Sequence, residues 1–119
     1  MGKGSKKLLT REAILAAEDR AIVEFEVPEW GGFIKIKPLS LRGRAKILEA
    51  SREKDEKEVD PVRFTAQVFI AGVVEPAFTE EDLEALGDKN AAPIDRVSNE
   101  ILQLSGIDVK ALARARGNF

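Results

Sequence analysis

Residues 23–36 read VEFEVPEWGGFIKI, and the parsing of this stretch decides the fold. Val23, Phe25 and Val27 alternate with Glu24 and Glu26, and Ala21 continues the pattern upstream. A period of two carried by β-branched and aromatic residues is the pattern of a strand with one buried face. In Pro28-Glu29-Trp30-Gly31-Gly32 the proline fixes φ and the glycines permit positive φ, so the chain turns there. Alternation resumes from Phe33 to Pro38, with Ile34 and Ile36 on one side and Phe33, Lys35 and Lys37 on the other. The spacing predicts a β-hairpin over about 21–38. Glu24 and Glu26 then face a strand carrying Lys35 and Lys37, which contributes a few tenths of a kcal/mol per pair and helps set register.

Outside the hairpin the period lengthens to that of helices. Upstream, Thr10 is an N-cap for a helix over 11–18, with Ile14 and Leu15 as its buried positions. Residues 1–8, with Gly2, Gly4, Ser5 and lysines 3, 6 and 7, have nothing to bury and are expected to be disordered. Downstream, Ser40 caps a helix over 41–54 whose apolar positions are Leu41, Ala45 and Leu48. Residues 52–60 are almost wholly charged and form an exposed connection.

Asp60-Pro61 combines an N-cap with proline at the first helical position, predicting a helix over 61–74. Phe64, Ala66, Val68, Phe69, Ile70, Ala71, Val73 and Val74 make it apolar nearly all round, as befits a central helix. Thr79 caps a short acidic helix over 80–86, stopped by Gly87. A long helix over 91–104 carries the stripe Ile94, Val97, Ile101 and Leu104, and Pro93 is tolerated in its first turn. Gly106 stops it, and Asp108 caps a last helix over 108–115. The expectation is one α+β domain, mainly α-helical, over 9–116: an N-terminal β-hairpin packed on four to five helices.

Composition narrows the function. The 119 residues contain neither His nor Cys. That removes the usual general base near neutral pH, thiol nucleophiles, disulfides and the common zinc ligands. The expectation is a binding protein without catalysis, metal or cofactor. A net charge of −2 disfavours a dedicated nucleic-acid binder. The basic clusters Lys3, Lys6, Lys7, Arg11 and Lys110, Arg114, Arg116 lack the interleaved aromatics that single-strand binders use, and read as solubilising ends. Glu80, Glu81, Asp82 and Glu84 read as a helix N-terminus favoured by the dipole, and Gly31-Gly32 as a hairpin turn without the context of a phosphate loop. No apolar run reaches the roughly 20 residues of a membrane span, and a cytosolic location is expected. Trp30 has two readings: a lid folded back from the hairpin onto a helix, or an exposed anchor for a partner.

Several segments in order carry a family resemblance. They are Leu9 to Ala16 (LTREAILA), Val23 to Gly32 (VEFEVPEWGG), Ile34 to Ser40 (IKIKPLS), Phe78 to Gly87 (FTEEDLEALG) and Leu104 to Ile107 (LSGI). Across roughly residues 8–113 the chain resembles the tail assembly chaperones of long-tailed, siphovirus-type bacteriophages and prophages. It departs from the pattern at Gly43, where an acidic residue completing a capping box with Ser40 is expected. The resemblance implies a protein that binds the tape measure protein, keeps it soluble and recruits major tail tube subunits around it. It further implies action in the host cell cytoplasm, absence from the mature virion and no cofactor.

Tape measure proteins resemble long amphipathic helices, which hide their apolar face in a groove. The candidate partner-binding residues are therefore Trp30 and Phe33 on the hairpin, Phe64 and Phe69 on the apolar helix, and Val97, Ile101 and Leu104 on the late stripe. Self-association is a further possibility. The competing expectations are a small cytosolic regulatory or adaptor module, and a nucleic-acid-binding accessory protein using the basic ends.

Overall fold

The computed structural model describes residues 6–52 and 59–107. The expected helix at 108–115 and the basic positions Lys3, Lys110, Arg114 and Arg116 lie outside the described residues, whereas the helix expected over 41–54 ends earlier, at Ala50, with Ser51 as its C-cap. Among the described residues the fold is α+β and mainly helical. Its elements are α1 (Arg11–Ala16), β1 (Val23–Val27), β2 (Gly32–Ile36), α2 (Leu41–Ala50), α3 (Pro61–Gly72), β3 (Val73–Glu75), α4 (Leu83–Gly87) and α5 (Ala91–Leu104). Single 3₁₀ turns occupy Pro28–Trp30 and Glu80–Asp82.

The hairpin forms as its pattern requires. β1 and β2 pair antiparallel with Val23 opposite Ile36, Phe25 opposite Ile34 and Val27 opposite Gly32. These apolar pairs share the inner face, where Val27, Ile34 and Ile36 are buried. Gly31 closes the turn at φ +76°, a conformation that L side chains rarely adopt.

The sheet has a third strand that the sequence analysis does not anticipate. β3 pairs antiparallel with β2, giving the order β1-β2-β3. The expected helix over 61–74 thus ends at Gly72, because the backbone beyond it is taken up by the sheet. Lys37 N–H donates to the Gly72 carbonyl at 2.9 Å. This also redirects the charges. Glu24 does lie opposite Lys35, but Glu26 lies opposite Phe33. Lys35 pairs with Glu75 of β3 at 3.5 Å. Both partners are substantially exposed, so the contribution is small.

Side chains within three residues set the helix starts. Thr10, Ser40, Asp60, Thr79 and Asn90 each accept a hydrogen bond from a backbone N–H of the first turn. Thr79 completes a capping box, its own N–H donating to the Asp82 carboxylate at 2.8 Å. Ser40 works with half a box, accepting from Gly43 N–H at 2.9 Å. At the other end, Gly106 at φ +80° ends α5 in a Schellman motif. Ile107 N–H donates to the Leu102 carbonyl and Gly106 N–H to that of Gln103.

α3 is the central helix. It packs on α5, α2 and α4 and leads directly into β3. Every strand and every helix except α1 contributes to a single buried cluster. Phe69 sits at its centre, edge-on to Phe78 at 5.2 Å and to Trp30 at 6.1 Å between ring centroids. Two devices bring α3 and α5 close. Gly72 offers no side chain where Ile101 presses in, and Ser98 Oγ donates to the Thr65 carbonyl at 3.1 Å.

Two expected faces are corrected. On α2 the buried residue is Ile47, with Leu48 half-buried, whereas Leu41 and Ala45 are exposed. α1 is shorter than the expected 11–18 and buries none of its residues, Ile14 and Leu15 included.

Candidate functional site

The expected groove on α3 and α5 is filled by the protein itself. Phe64, Phe69, Val97 and Ile101 are buried, and the α5 stripe meets α3 directly. Leu104 is half-buried against the same cluster. These five side chains hold the core and present little surface to a partner. Helical periodicity locates an apolar stripe but does not say whether the neighbour covering it belongs to the same chain.

Trp30 and Phe33 stand apart from that group. Trp30 combines its two readings, with one ring edge on Phe69 and 39% of its surface still exposed. Phe33, 57% exposed, projects from the outer face of the sheet among Glu24, Glu26 and Lys35. The hairpin tip that carries Trp30 is clamped to α5. Arg96 donates twice to the Glu29 carboxylate, at 2.8 and 2.5 Å. Hydrogen bonding from the Arg96 guanidinium holds the Glu29 carboxyl down at about 2, and the Glu29 carboxylate in turn pushes Arg96 above its usual value.

A different concavity remains open. α2 and α3 diverge around a cleft of about 480 Å³. Ile47, Ala50, Ile70 and Ala71 supply its aliphatic walls, and Lys46, Glu49 and Glu80 supply charge around them. Gln67 is buried at one end, its side-chain amide donating to Glu80 Oε1 at 3.1 Å. Small residues at 50 and 71 let another backbone come near, and the aliphatic walls suit side chains spaced along a helix. The sequence signal for this site is an excess. α3 is apolar on more sides than α5 and the sheet need, and its remaining side borders the cleft.

Among the described residues no group of three or more acidic, His or Cys side chains is placed to hold a metal ion, and no helix is long and apolar enough to cross a membrane. The chain matches no protein-family model, no curated protein and no solved structure.

Proposed function

We propose that this protein is a non-catalytic helix-binding chaperone, specifically a tail assembly chaperone that receives tape measure protein segments in the α2–α3 cleft. The observation that carries the reading is the cleft itself: aliphatic walls from Ile47, Ala50, Ile70 and Ala71 ringed by charges of both signs. An amphipathic helix inserts its i, i+3, i+4 and i+7 side chains into such a groove and leaves its polar face to the rim. Mixed rim charge suits a client whose polar face carries both signs. The family resemblance names the client, and with it the host cytoplasm as the place of action and the virion as the place of absence. The exposed hairpin surface around Phe33 and Trp30 supplies a second, separate face for major tail tube subunits.

Co-expression with tape measure segments tests this. Ala50→Asp and Ala71→Asp replace exposed cleft residues, so they leave the fold intact while placing a charge on the apolar wall. Each should weaken co-purification of the segment at least tenfold. Phe33→Asp, on the far side of the hairpin, should leave it unchanged. Equal recovery of the segment with both cleft variants refutes the site.

A further inference from the structure

The α2–α3 cleft and the hairpin tip are joined by a continuous series of side-chain contacts. At the cleft end, Gln67 Nε2 donates to Glu80 Oε1 at 3.1 Å, and both residues line the cavity. Gln67 is buried and Glu80 exposed, so Glu80 is the member of the pair within reach of an occupant. Glu80 does not move alone. It opens the 3₁₀ turn Glu80–Asp82, which Thr79 fixes with its capping box. Thr79 N–H donates to Asp82 Oδ2 at 2.8 Å, and Glu81 N–H donates to Thr79 Oγ1 at 3.3 Å. Phe78 directly precedes Thr79. A displacement of Glu80 is thereby passed to the backbone that carries Phe78.

From Phe78 the series is aromatic. Phe78 stands edge-on to Phe69 at 5.2 Å, and Phe69 edge-on to Trp30 at 6.1 Å between ring centroids. Phe69 is almost wholly buried, with neighbours on every side. A close-packed interior transmits a displacement rather than absorbing it. Packed contacts of this kind also switch between discrete arrangements instead of deforming continuously. At the far end Trp30 follows Glu29, whose carboxylate accepts from Arg96 of α5. The tip therefore has a defined seat that it can leave.

We propose that the cleft and the hairpin tip are conformationally coupled through Glu80, Phe78, Phe69 and Trp30, so that engaging Glu80 at the cleft repositions Trp30 at the tip. The purpose of this coupling, reporting an occupied cleft to the face around Phe33 and Trp30, rests on the helix-binding role proposed above. The coupling itself needs no client. It is reciprocal, so a change at the tip also reaches Gln67.

Trp30 is the single tryptophan of the chain, so its fluorescence reports the tip alone. Acrylamide quenching of the full chain tests the proposal without any client. Trp30 is 39% exposed when seated, and its release in Glu80→Ala should raise quenching about twofold. Glu84→Ala, which removes an exposed carboxylate from neighbouring α4, should leave quenching unchanged. Phe78→Leu keeps an apolar side chain but removes the ring, and on that background Glu80→Ala should have no further effect. In the reverse direction, Glu29→Gln at the tip should shift the side-chain amide resonances of Gln67. Cooperative thermal melting confirms that each variant folds. Unchanged quenching in Glu80→Ala overturns the coupling. An equal effect in Glu84→Ala or on the Phe78→Leu background overturns it too, as does a Gln67 amide indifferent to Glu29→Gln. Equal recovery of the tape measure segment with Ala50→Asp and Ala71→Asp, alongside a Trp30 response to Glu80→Ala, sinks the client site and supports the coupling. Loss of the segment in those variants with Trp30 indifferent to Glu80→Ala refutes the coupling alone.

Discussion

Replacing Gly72 with alanine should destabilise the protein, although alanine is ordinarily the better helix residue. Gly72 ends α3 where the Ile101 side chain of α5 lies against its backbone. A Cβ built there would lie 2.6 and 2.7 Å from Cγ2 and Cγ1 of Ile101, with Cδ1 closer still. Ile101 is fully buried, so it has no free space to swing into. Overpacking of this kind costs about 1–3 kcal/mol, and the fully buried contact places Gly72→Ala near the top of that range. The intrinsic helix gain offsets at most ~1 kcal/mol. The net loss is about 2 kcal/mol, which at ~3–6 °C per kcal/mol for a domain of this size lowers Tm by roughly 10 °C. Urea unfolding followed by circular dichroism and by the fluorescence of Trp30 measures it. The decisive control is Ile101→Ala, which removes all three clashing atoms. On that background Gly72→Ala should become neutral or stabilise by up to ~1 kcal/mol. If Gly72→Ala is as stable as the parent, or costs the same on both backgrounds, the packing explanation fails.

Other consequences are equally specific. The Glu29 carboxyl titrates at about 2 rather than 4.5, so the clamp it forms with Arg96 contributes fully above pH ~4.5 and is lost as pH falls through about 2. NMR titration of Glu29 should show that midpoint, and Arg96→Ala should return it toward 4.5. Ser105 Oγ accepts from Leu39 N–H at 2.8 Å and donates to the Ile101 carbonyl at 2.6 Å. Ser105→Ala should therefore cost about 1–3 kcal/mol in urea unfolding, because a partly buried N–H loses its partner. Trp30→Ala should cost at least the ~0.5–1.5 kcal/mol of its edge contact with Phe69, whereas Phe33→Ala on the open face should stay within ~0.5 kcal/mol.

What the sequence by itself determined is the local structure. The hairpin was legible because alternation and the Pro-Glu-Trp-Gly-Gly turn are properties of adjacent residues. The helix starts at Thr10, Ser40, Asp60 and Thr79 were legible because an N-cap reaches only two or three residues along the chain. Gly106 marked the end of α5 for the same reason.

Tertiary structure decided everything that depends on a distant neighbour. Val73 and Val74 prolong the apolar run of α3, and only the proximity of Ile36 and Lys37 converts them into a strand. The stripe Val97, Ile101 and Leu104 looks the same in a sequence whether a partner or α3 covers it, and here α3 does. Ile14 and Leu15 have the spacing of core residues yet are exposed, because no element among the described residues buries them. Hydrophobic burial is non-directional, so a sequence states how much apolar surface must be covered. Which surface covers it, and which is left open for another molecule, is settled by the packing of α2, α3 and α5.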